Sequence, residues 1–455
     1  MRSSLPKAMH PVCGRPMLAW SVAAAREAGA ERLAVIVAPG QDLSEALPGD
    51  VESVVQPEPD GTGGAVRAAA ELIAAAETVL VLPGDHPLIS GAHLHALLDA
   101  HREADAAATV MTVELEDPGS YGRVVRDRDG ALERIVETKH PEQVPAEILA
   151  LREISTSTFA FDASALGGAL QRLTSDNEAG EYYLGDVLPI LRSGGATIAA
   201  HTVPDPAANL GVNHRADLAL VAGEARRRIL ERHMLAGVTI VDPAATWVDA
   251  EVEIAPDATI EPGSSLRGAT RVGSGSVVGP HTTLIDSSLG AEVSVPHSYL
   301  VSCDVSDGCT IGPFAYLRPG AALAEGAKVG TFVEVKNTTV GEGAKVPHLS
   351  YLGDTEVGAG SNVGAGTITA NYDGYRKSPT KIGQRARIGV HTSLVAPVGI
   401  GDDAYTGAGA VIREDVPPGA LGVTKGEQRN IEGFAERKAE QAGEARSEAE
   451  KGKDS

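Results

Sequence analysis

Three short stretches of the first half combine residue types and positions that could do chemistry. Asp85 ends the apolar run "VLVLPGD", and a carboxylate just past a strand of an open α/β sheet lies in the crevice where such sheets bind ligands. The Gly-Thr-Gly turn at 61–63 directly precedes a helix-like run, so its free backbone N–H groups favour a phosphate or a nucleobase carbonyl. Lys7 lies either on a ragged end or in the remaining half of a functional loop.

His348 is the residue of "KVPHLSYLGD" that can exchange a proton near neutral pH. A lone histidine is usually an ordinary surface residue, and this chain has 13. Other side chains of the same region favour a functional reading, because they offer hydrogen-bond donors and cations suited to a phosphosugar. These side chains are Tyr351, Asn362, Asn371, Tyr372, Arg318 and Lys336.

Composition limits the classes of protein to which the chain can belong. A length of 455 residues with 43% apolar residues predicts two or three domains with sizeable cores. No run of about 18 uncharged apolar residues or signal-peptide core is present, so no membrane span is expected. The net charge of -22 repels phosphate backbones and anionic lipids, so neither nucleic acid nor a membrane is an expected partner. Three cysteines without a disulfide or metal spacing suit a reducing cytoplasm.

The elements that must position these residues change in character near residue 238. Before it, short apolar runs alternate with longer amphipathic stretches, which predicts a parallel-rich α/β domain. The stretches that carry this alternation are 32–40, 65–77, 79–85 and 106–115. Residues 214–235 have apolar positions at helical spacing and predict a connecting helix.

After residue 238 an aliphatic residue recurs every six positions. The first series is Ile254, Ile260, Leu266, Val272, Val278 and Leu284, and the second is Val305, Ile311, Leu317, Leu323, Val329 and Val335. This period predicts a parallel β-helix, in which the aliphatic side chains fill a narrow core and stacked coils bury one another. Segments 345–354 and 368–381 are predicted to interrupt the coils as loops, and the charged residues 433–455 are predicted to be disordered.

Seven motifs resemble, in order, those of the bacterial bifunctional N-acetylglucosamine-1-phosphate uridylyltransferase/glucosamine-1-phosphate N-acetyltransferase family. They are "SSLPKAMHPVCGRPML", "QPEPDGTGGA", "LPGDHPLI", "GSYGRVV", "RIVETKH", "GEYYLGDV" and "GVNHRADL". The resemblance covers residues 1–432 and implies a Rossmann-like α/β nucleotidyltransferase followed by a left-handed parallel β-helix of hexapeptide repeats. Met1-Arg2 looks like the end of the family's Gly-rich loop, so the nucleotidyltransferase is expected to be N-terminally truncated, without that strand and loop.

The resemblance also implies domain bounds and two reactions. The implied bounds are 1–213 for the nucleotidyltransferase, 214–237 for a linker helix, 238–432 for the β-helical acetyltransferase and 433–455 for the tail. Acetyl-CoA would acetylate glucosamine 1-phosphate, and the product would attack the α-phosphorus of UTP with Mg²⁺ and release pyrophosphate. An acetyltransferase with an inactive truncated nucleotidyltransferase domain is one alternative, and a trimeric scaffold that only binds sugar nucleotides is another. Because the family's acetyl site lies between neighbouring β-helices, a homotrimer is expected, and the cysteine usage predicts a cytoplasmic location.

Site residues follow from the same resemblance. Asp85 and Asn213 would hold the metal, and His348 would be the general base that deprotonates the sugar's amino group. The residues assigned to UTP and UDP-N-acetylglucosamine are Lys7, Gln56, Gly61, Thr62, Pro83, Gly84, Asp85, Gly122, Glu137, Ser155 and Asn213. Those assigned to glucosamine phosphate are Arg318, Lys336, Tyr351, Asn362 and Lys377, and those assigned to acetyl-CoA are Ala365, Asn371, Tyr372, Val390, Ala408 and Lys425.

Three of these positions depart from the family's pattern. Ser155 stands where the family has Asn, and it reaches less far as a hydrogen-bond donor. Lys425 is Arg in many relatives, and the change keeps the charge but loses bidentate phosphate geometry. Val390 replaces a Ser that would hydrogen-bond the coenzyme, so weaker binding of acetyl-CoA is predicted.

Overall fold

The chain consists of two compact units, Met1–His297 and Ser298–Ser455. The structure is a computed structural model that describes residues 1–41, 43, 47–138, 140–176, 180–424, 426 and 428–451, with the backbone alone for 444–451. The division between the units falls inside the segment with the six-residue period, so each unit contains part of that segment.

A mixed β-sheet forms the α/β part of the first unit. Its strand order is β10-β6-β9-β7-β8, β5 also pairs with β9, and β3 and β4 form a separate parallel pair. The strands are β1 Pro11–Val12, β2 Arg15–Pro16, β3 Ala34–Val37, β4 Glu52–Val55, β5 Thr78–Val81, β6 Ala108–Glu114, β7 Arg123–Arg126, β8 Leu132–Val136, β9 Glu153–Asp162 and β10 Ile198–Thr202. β10 runs parallel to β6, but β9 runs antiparallel to β5, β6 and β7. The prediction of a parallel-rich sheet is therefore wrong, because apolar runs predict strands and not their direction.

Two hydrophobic cores lie on the two faces of this sheet. Side chains alternate between the faces of a strand, so Phe159 and Phe161 of β9 enter one core and Ala160 enters the other. The helices of the unit are α1 Met17–Glu27, α2 Thr62–Ala68, α3 Ala70–Ala74, α4 Gly91–Glu103, α5 Ala146–Leu149, α6 Ala163–Leu170, α7 Val187–Ser193 and α8 Arg215–Leu235. Short 3-10 helices cover Lys7–Met9, Pro141–Gln143, Leu184–Asp186, Pro206–Asn209 and Pro243–Ala245. Helices α6 and α7 contribute to the first core, and α1 and α4 contribute to the second.

The helix predicted over 214–235 is α8. It begins at a capping box in which the His214 ring accepts from the Asp217 N–H and the Asp217 carboxylate accepts from the His214 N–H. The remaining strands of the first unit lie on three faces and pair in parallel, 20 residues apart in the first pair and 17 or 18 in the others. The faces contain Thr239–Ile240, Thr259–Ile260, Val277–Val278 and Ser294–Val295; Trp247–Val248, Ser265–Arg267 and Thr283–Ile285; and Glu253–Ile254, Arg271–Val272 and Ser288–Leu289.

The second unit is built on the same three-faced, parallel plan. One face contains Thr310–Ile311, Lys328–Thr331, Lys345–His348, Asn362–Val363, Arg387–Ile388, Tyr405–Thr406 and Leu421–Gly422. The second contains Tyr299–Val301, Tyr316–Leu317, Glu334–Lys336, Tyr351–Gly353, Ile368–Ala370, Ser393–Val395 and Val411–Ile412, and the third contains Asp304–Val305, Ala322–Leu323, Thr339–Val340, Thr355–Val357, Thr380–Ile382 and Val398–Ile400. Every residue of both six-residue series is buried, as the predicted β-helix requires.

One of the two predicted interruptions is present. Residues 345–354 form regular coil strands, so that part of the prediction is wrong: Val346 and Leu352 are fully buried and keep the six-residue spacing. The second segment does contain an interruption, at residues 371–379, between the coil strands Ile368–Ala370 and Thr380–Ile382. Thr355 pairs with Thr380, 25 residues further along, where a regular coil takes 17 or 18.

A helix, α9 Phe434–Lys451, occupies the segment where the sequence predicts disorder. The segment is rich in strong helix formers, namely Ala, Glu, Arg, Lys and Gln. Its low hydrophobicity does not prevent these residues from forming a helix. Its side chains at 434–443 are exposed, so this described part of α9 does not pack on a core. No helix within the described residues is long and apolar enough to cross a membrane.

Candidate functional sites

Three predicted site residues from distant segments meet in the first unit. Lys7 stands at the start of the 3-10 helix Lys7–Met9. Its Nζ donates to Asp85 Oδ2 at 2.6 Å and to Asn213 Oδ1 at 2.8 Å. Both side chains of the Lys7–Asp85 ion pair remain partly exposed, at 39% and 29%, so a substrate can reach them.

Backbone contacts fix the two oxygen donors of this cluster. Asp85 follows β5, and its carbonyl accepts from the Val212 N–H at 3.1 Å, which joins the two loops that carry Asp85 and Asn213. The Asn213 N–H donates to Asp217 in the first turn of α8 at 2.8 Å. His86 lies beside Asp85, and burial lowers the pKa of its imidazole, so the ring favours the neutral form.

The donor set suits a hard divalent cation. Asp85 Oδ2 and Asn213 Oδ1 converge on one positive charge, the Lys7 ammonium. Mg²⁺ prefers oxygen ligands and commonly takes one or two from the protein and the rest from phosphates and water. The described residues contain no cluster of three or more His, Cys, Asp or Glu side chains arranged for a metal. A cation bound by Asp85 and Asn213 would take its remaining ligands from the substrate and from water.

The glycine turn before α2 is held against residues 182–184. Gly61 has φ +106°, and a Cβ there would lie 2.6 Å from the Tyr182 carbonyl oxygen, so this position requires glycine. Thr62 Oγ1 accepts from the Leu184 N–H at 3.0 Å. The Gln56 carboxamide donates to the Gly61 carbonyl at 3.2 Å, so Gln56 closes the same turn.

Three residues assigned to UTP and UDP-N-acetylglucosamine are neighbours: Gly122, Glu137 and Ser155. The Ser155 N–H donates to the Gly122 carbonyl at 3.1 Å, and a Cβ on Gly122 would lie 3.5 Å from Glu137 Oε1. Ser155 is 8% exposed, and its hydroxyl accepts from the Ser157 N–H at 3.1 Å. The Ser155 oxygen is therefore used in a hydrogen bond within β9.

Pro83 and Gly84 complete the predicted nucleotide site between β5 and Asp85. The Pro83 carbonyl accepts from Ser21 Oγ at 3.3 Å, which ties this turn to α1. A Cβ on Gly84 would meet Leu18 at 3.6 Å, an ordinary van der Waals contact. Position 84 is therefore not sterically restricted to glycine by its neighbours.

A cluster of cations marks the predicted sugar-phosphate site of the second unit. The ammonium of Lys377 beside Lys336 lowers the pKa of Lys336, and Arg318 contributes to the same effect. Arg318 Nη1 donates to Glu334 Oε1 at 2.8 Å. The positive charges of Lys336, Lys377 and Arg318 are thus close enough to repel one another. This repulsion favours the binding of an anionic ligand.

Asp354 is a central residue of this cluster that the sequence reasoning missed. Burial raises the pKa of its carboxyl, but hydrogen bonds from Asn337 at 2.7 Å and Asn371 at 2.5 Å, together with Lys336 and Lys377, lower it below the ordinary value. The carboxylate therefore anchors Asn371 beside the two lysines. Its place at the end of "YLGD", two residues past a buried aliphatic position, was the available signal.

His348, the predicted general base, ends the strand Lys345–His348 with its side chain exposed. Among the described residues no group hydrogen-bonds to its imidazole. Its own carbonyl accepts from Ser350 Oγ at 2.8 Å, which fixes the backbone at the corner. Tyr351 lies on the next strand, and Asn362 pairs with Lys345 on the adjacent coil.

The predicted coenzyme residues Ala365, Val390 and Ala408 stack on one corner of successive coils. Ala365 accepts from the His391 N–H at 2.7 Å, and Val390 accepts from the Gly409 N–H at 2.8 Å. Val390 is 46% exposed, so its apolar side chain lies on the surface of that corner. Asn371 is buried, Tyr372 is 60% exposed, and Lys425 lies outside the described residues.

Comparison with known proteins decides the family. Residues 1–179 match the MobA-like NTP transferase domain. Over 440 residues, 95% of this chain and 89% of the relative, the chain is 49% identical to "Bifunctional protein GlmU" of Kineococcus radiotolerans. The protein of the same name from Corynebacterium glutamicum is 44% identical over 98% of this chain and 94% of its own length, and that of Mycobacterium bovis is 45% identical over 96% and 90%. The chain belongs to the GlmU family.

GlmU membership confirms the resemblance carried by the seven motifs, together with the fold class of an NTP transferase domain followed by a β-helix. It also confirms the assignment as a bifunctional enzyme. The match to the GlmU relatives runs through both segments, so the alternative with a single activity is not favoured.

Proposed function

We propose that this chain makes UDP-N-acetylglucosamine by two transfers at two sites. The first moves acetyl from acetyl-CoA to the amino group of glucosamine 1-phosphate. The second moves uridylyl from UTP to N-acetylglucosamine 1-phosphate and releases pyrophosphate. The observation that carries this proposal is the presence of two separate clusters suited to phosphate, Lys7 with Asp85 and Asn213 in the first unit and Lys336 with Lys377 in the second.

In the uridylyl site, Asp85 and Asn213 would hold Mg²⁺, which when bound neutralises charge on the substrate phosphates. Lys7 then gives up its hydrogen bonds to Asp85 and Asn213 and contacts the triphosphate of UTP instead. The turn at 61–63 binds the uracil, and Gly122 with Glu137 orients the sugar. Phosphoryl transfer of this kind depends on positioning and charge neutralisation, so no protein nucleophile is required.

In the acetyl site, His348 removes a proton from the sugar's 2-amino group as that nitrogen attacks the thioester carbonyl. Its exposed imidazole is available for this role. Arg318, Lys336 and Lys377 bind the sugar phosphate, whose negative charge relieves the repulsion between the two lysines.

An exposed aromatic ladder supports assembly as a homotrimer. The rings of Phe314 and Phe332 stack on successive coils with centroids 5.4 Å apart, although both side chains are more than half exposed. Tyr299 and Tyr316 form a second exposed pair at 5.6 Å, and Leu349 is 60% exposed. Contiguous exposed apolar surface of this kind is typical of a protein interface.

The oligomeric state is tested by light scattering on the purified chain. Phe314→Glu with Phe332→Glu places charge in the ladder and is expected to reduce the mass to that of a monomer. Thr339→Glu, on a different face of the same unit, is the matched control and keeps the trimer mass. A wild-type mass of one chain contradicts the trimer.

The two activities are tested in one preparation of the full chain. Pyrophosphate release is measured with UTP, N-acetylglucosamine 1-phosphate and Mg²⁺, and coenzyme A release is measured with acetyl-CoA and glucosamine 1-phosphate. Both are expected. Coenzyme A release without pyrophosphate release favours the acetyltransferase alone, and sugar-nucleotide binding without either release favours the scaffold.

A further inference from the structure

Arg123 is a buried cation to which the reactions above assign no role. It opens β7 and is 3% exposed. Within the described residues no carboxylate hydrogen-bonds to its guanidinium, which donates instead to backbone carbonyls. These carbonyls belong to Gly119 at 2.9 Å, Pro118 and Leu149 at 3.4 Å each, and Tyr121.

A buried guanidinium is usually paired with a carboxylate, because an uncompensated charge is costly in a poorly solvated place. Here burial lowers the pKa of Arg123, and Asp117 acts in the opposite direction. The four carbonyl oxygens that accept from the guanidinium provide further compensation. The carbonyls come from two segments, the loop 117–121 and the end of α5. Arg123 therefore ties this loop to α5.

The loop held by Arg123 leads directly into the predicted sugar pocket. The Tyr121 carbonyl also accepts from Thr138 Oγ1 at 2.8 Å, and Thr138 follows Glu137 in the chain. Gly122 is bonded through its carbonyl to Ser155. The backbone on both sides of the pocket is thus held in place by hydrogen bonds to main-chain carbonyls.

The same loop also extends toward the phosphate cluster. Tyr121 packs against the second core, as do Leu80 and Leu82 at the end of β5. Burial raises the pKa of its hydroxyl, and the nearby carboxylates of Asp217 and Asp85 raise it further. A change in the loop would therefore displace both the backbone of Gly122 and a ring that lies within electrostatic range of Asp85.

We infer that Arg123 is a positioning residue that holds the loop 117–121 in the conformation needed to bind N-acetylglucosamine 1-phosphate. The inference rests on the proposed uridylyl transfer and adds to it a residue that does not contact the substrate. Arginine suits the task because its planar group carries five donors that reach several carbonyls at once, whereas a lysine ammonium offers three from one point.

The test compares Arg123→Met and Arg123→Lys with Arg126→Met in the full chain. Arg126 is the matched control, since it lies on the same strand but pairs with Glu153 and the Gly130 carbonyl. Arg123→Met is expected to raise the KM for N-acetylglucosamine 1-phosphate about tenfold, with the KM for UTP within twofold of wild type. Arg123→Lys is expected to fall between Arg123→Met and wild type, and Arg126→Met is expected to match wild type.

Coenzyme A release by the same preparations measures the amount of intact enzyme, because it depends on the other site, and an unchanged KM for UTP shows that the first unit is folded. An unchanged sugar KM in an active Arg123→Met enzyme overturns the inference. A fall in kcat alone, with both KM values unchanged, also overturns it, because that result describes a smaller folded fraction. If Arg123→Met does not fold, the inference is tested with Arg123→Lys, by the same comparison of the KM for N-acetylglucosamine 1-phosphate with the KM for UTP. Absence of pyrophosphate release from the wild-type chain instead refutes the proposed uridylyl transfer.

Discussion

At the scale of single residues, both sites place cations where they repel each other or compete for the same oxygen atoms. Lys336 and Lys377 lie side by side, and the lowered pKa of Lys336 reflects that proximity. Lys7 fills the position between Asp85 and Asn213 that a divalent cation would take. The surrounding structure must hold these cations in place, and the negative charge of a bound substrate reduces the repulsion between them.

The corner proposed to bind the coenzyme gives a prediction at the same scale. Val390→Ser adds a hydroxyl to an exposed apolar position between Ala365 and Ala408, and one added hydrogen bond is expected to lower the KM for acetyl-CoA roughly two- to tenfold. Val277→Ser changes a valine of the first unit that is also exposed, at 39%, and serves as the control that leaves that KM unchanged. Steady-state coenzyme A release measures both, and an unchanged KM in Val390→Ser removes this position from the coenzyme site.

At the scale of elements, the glycine turn before α2 depends on one backbone conformation. Gly61→Ala introduces a Cβ at φ +106° and 2.6 Å from the Tyr182 carbonyl, and strain of about 1–3 kcal/mol is expected. The turn must shift, so the KM for UTP is expected to rise roughly tenfold. Gly168→Ala in α6 has nothing within 4 Å of the new Cβ and is expected to leave both activities unchanged. Equal effects of the two variants on the KM for UTP contradict this prediction.

Helix α8 gives a pH-dependent prediction. Hydrogen bonds from Arg227 and Arg228 lower the pKa of Glu224 to about 2, against an ordinary value of 4.5. A lowered carboxyl pKa contributes stability above 4.5, and this contribution is lost as the pH falls from 4.5 toward 2. Glu224→Gln is therefore expected to lower the free energy of unfolding at pH 7 by about 1 kcal/mol, with a smaller loss at pH 3.

Thermal unfolding of wild type and Glu224→Gln between pH 7 and pH 3 measures this difference. Glu231→Gln is the control, because within the described part of the chain Glu231 forms an ion pair with Arg227 only and is more than half exposed. A stability difference that stays constant over the pH range shows that the charge of Glu224 is not responsible.

At the scale of the whole molecule, the two activities should be separable by single substitutions. Asp85→Asn removes the charged oxygen donor of the proposed metal site and is expected to reduce pyrophosphate release by roughly a hundredfold or more, with coenzyme A release unchanged. His348→Ala is expected to have the reverse effect, a loss of about 10²–10⁴ in acetyl transfer alone. Each variant is the control for the other. Loss of both activities in either one contradicts independent sites.

The sequence alone determined the elements whose burial follows a local period. The six-residue spacing of Ile254 to Leu284 requires no distant partner, because each coil buries the next, and α8 is likewise defined by apolar spacing over neighbouring turns. The motifs that identify the family are also local. For this reason the β-helix, the connecting helix and most assigned site residues could be named before the fold was known.

Only the tertiary structure decided which residues meet. Lys7 reaches Asn213 across 206 positions, β9 runs antiparallel through the middle of a sheet predicted to be parallel-rich, and Asp354 joins two asparagines to two lysines. Arg123 is bound by carbonyls, which every residue carries and no sequence pattern marks. Pairings of this kind are set by the packing of distant segments and by the need to satisfy buried polar groups, and neither leaves a period in the sequence.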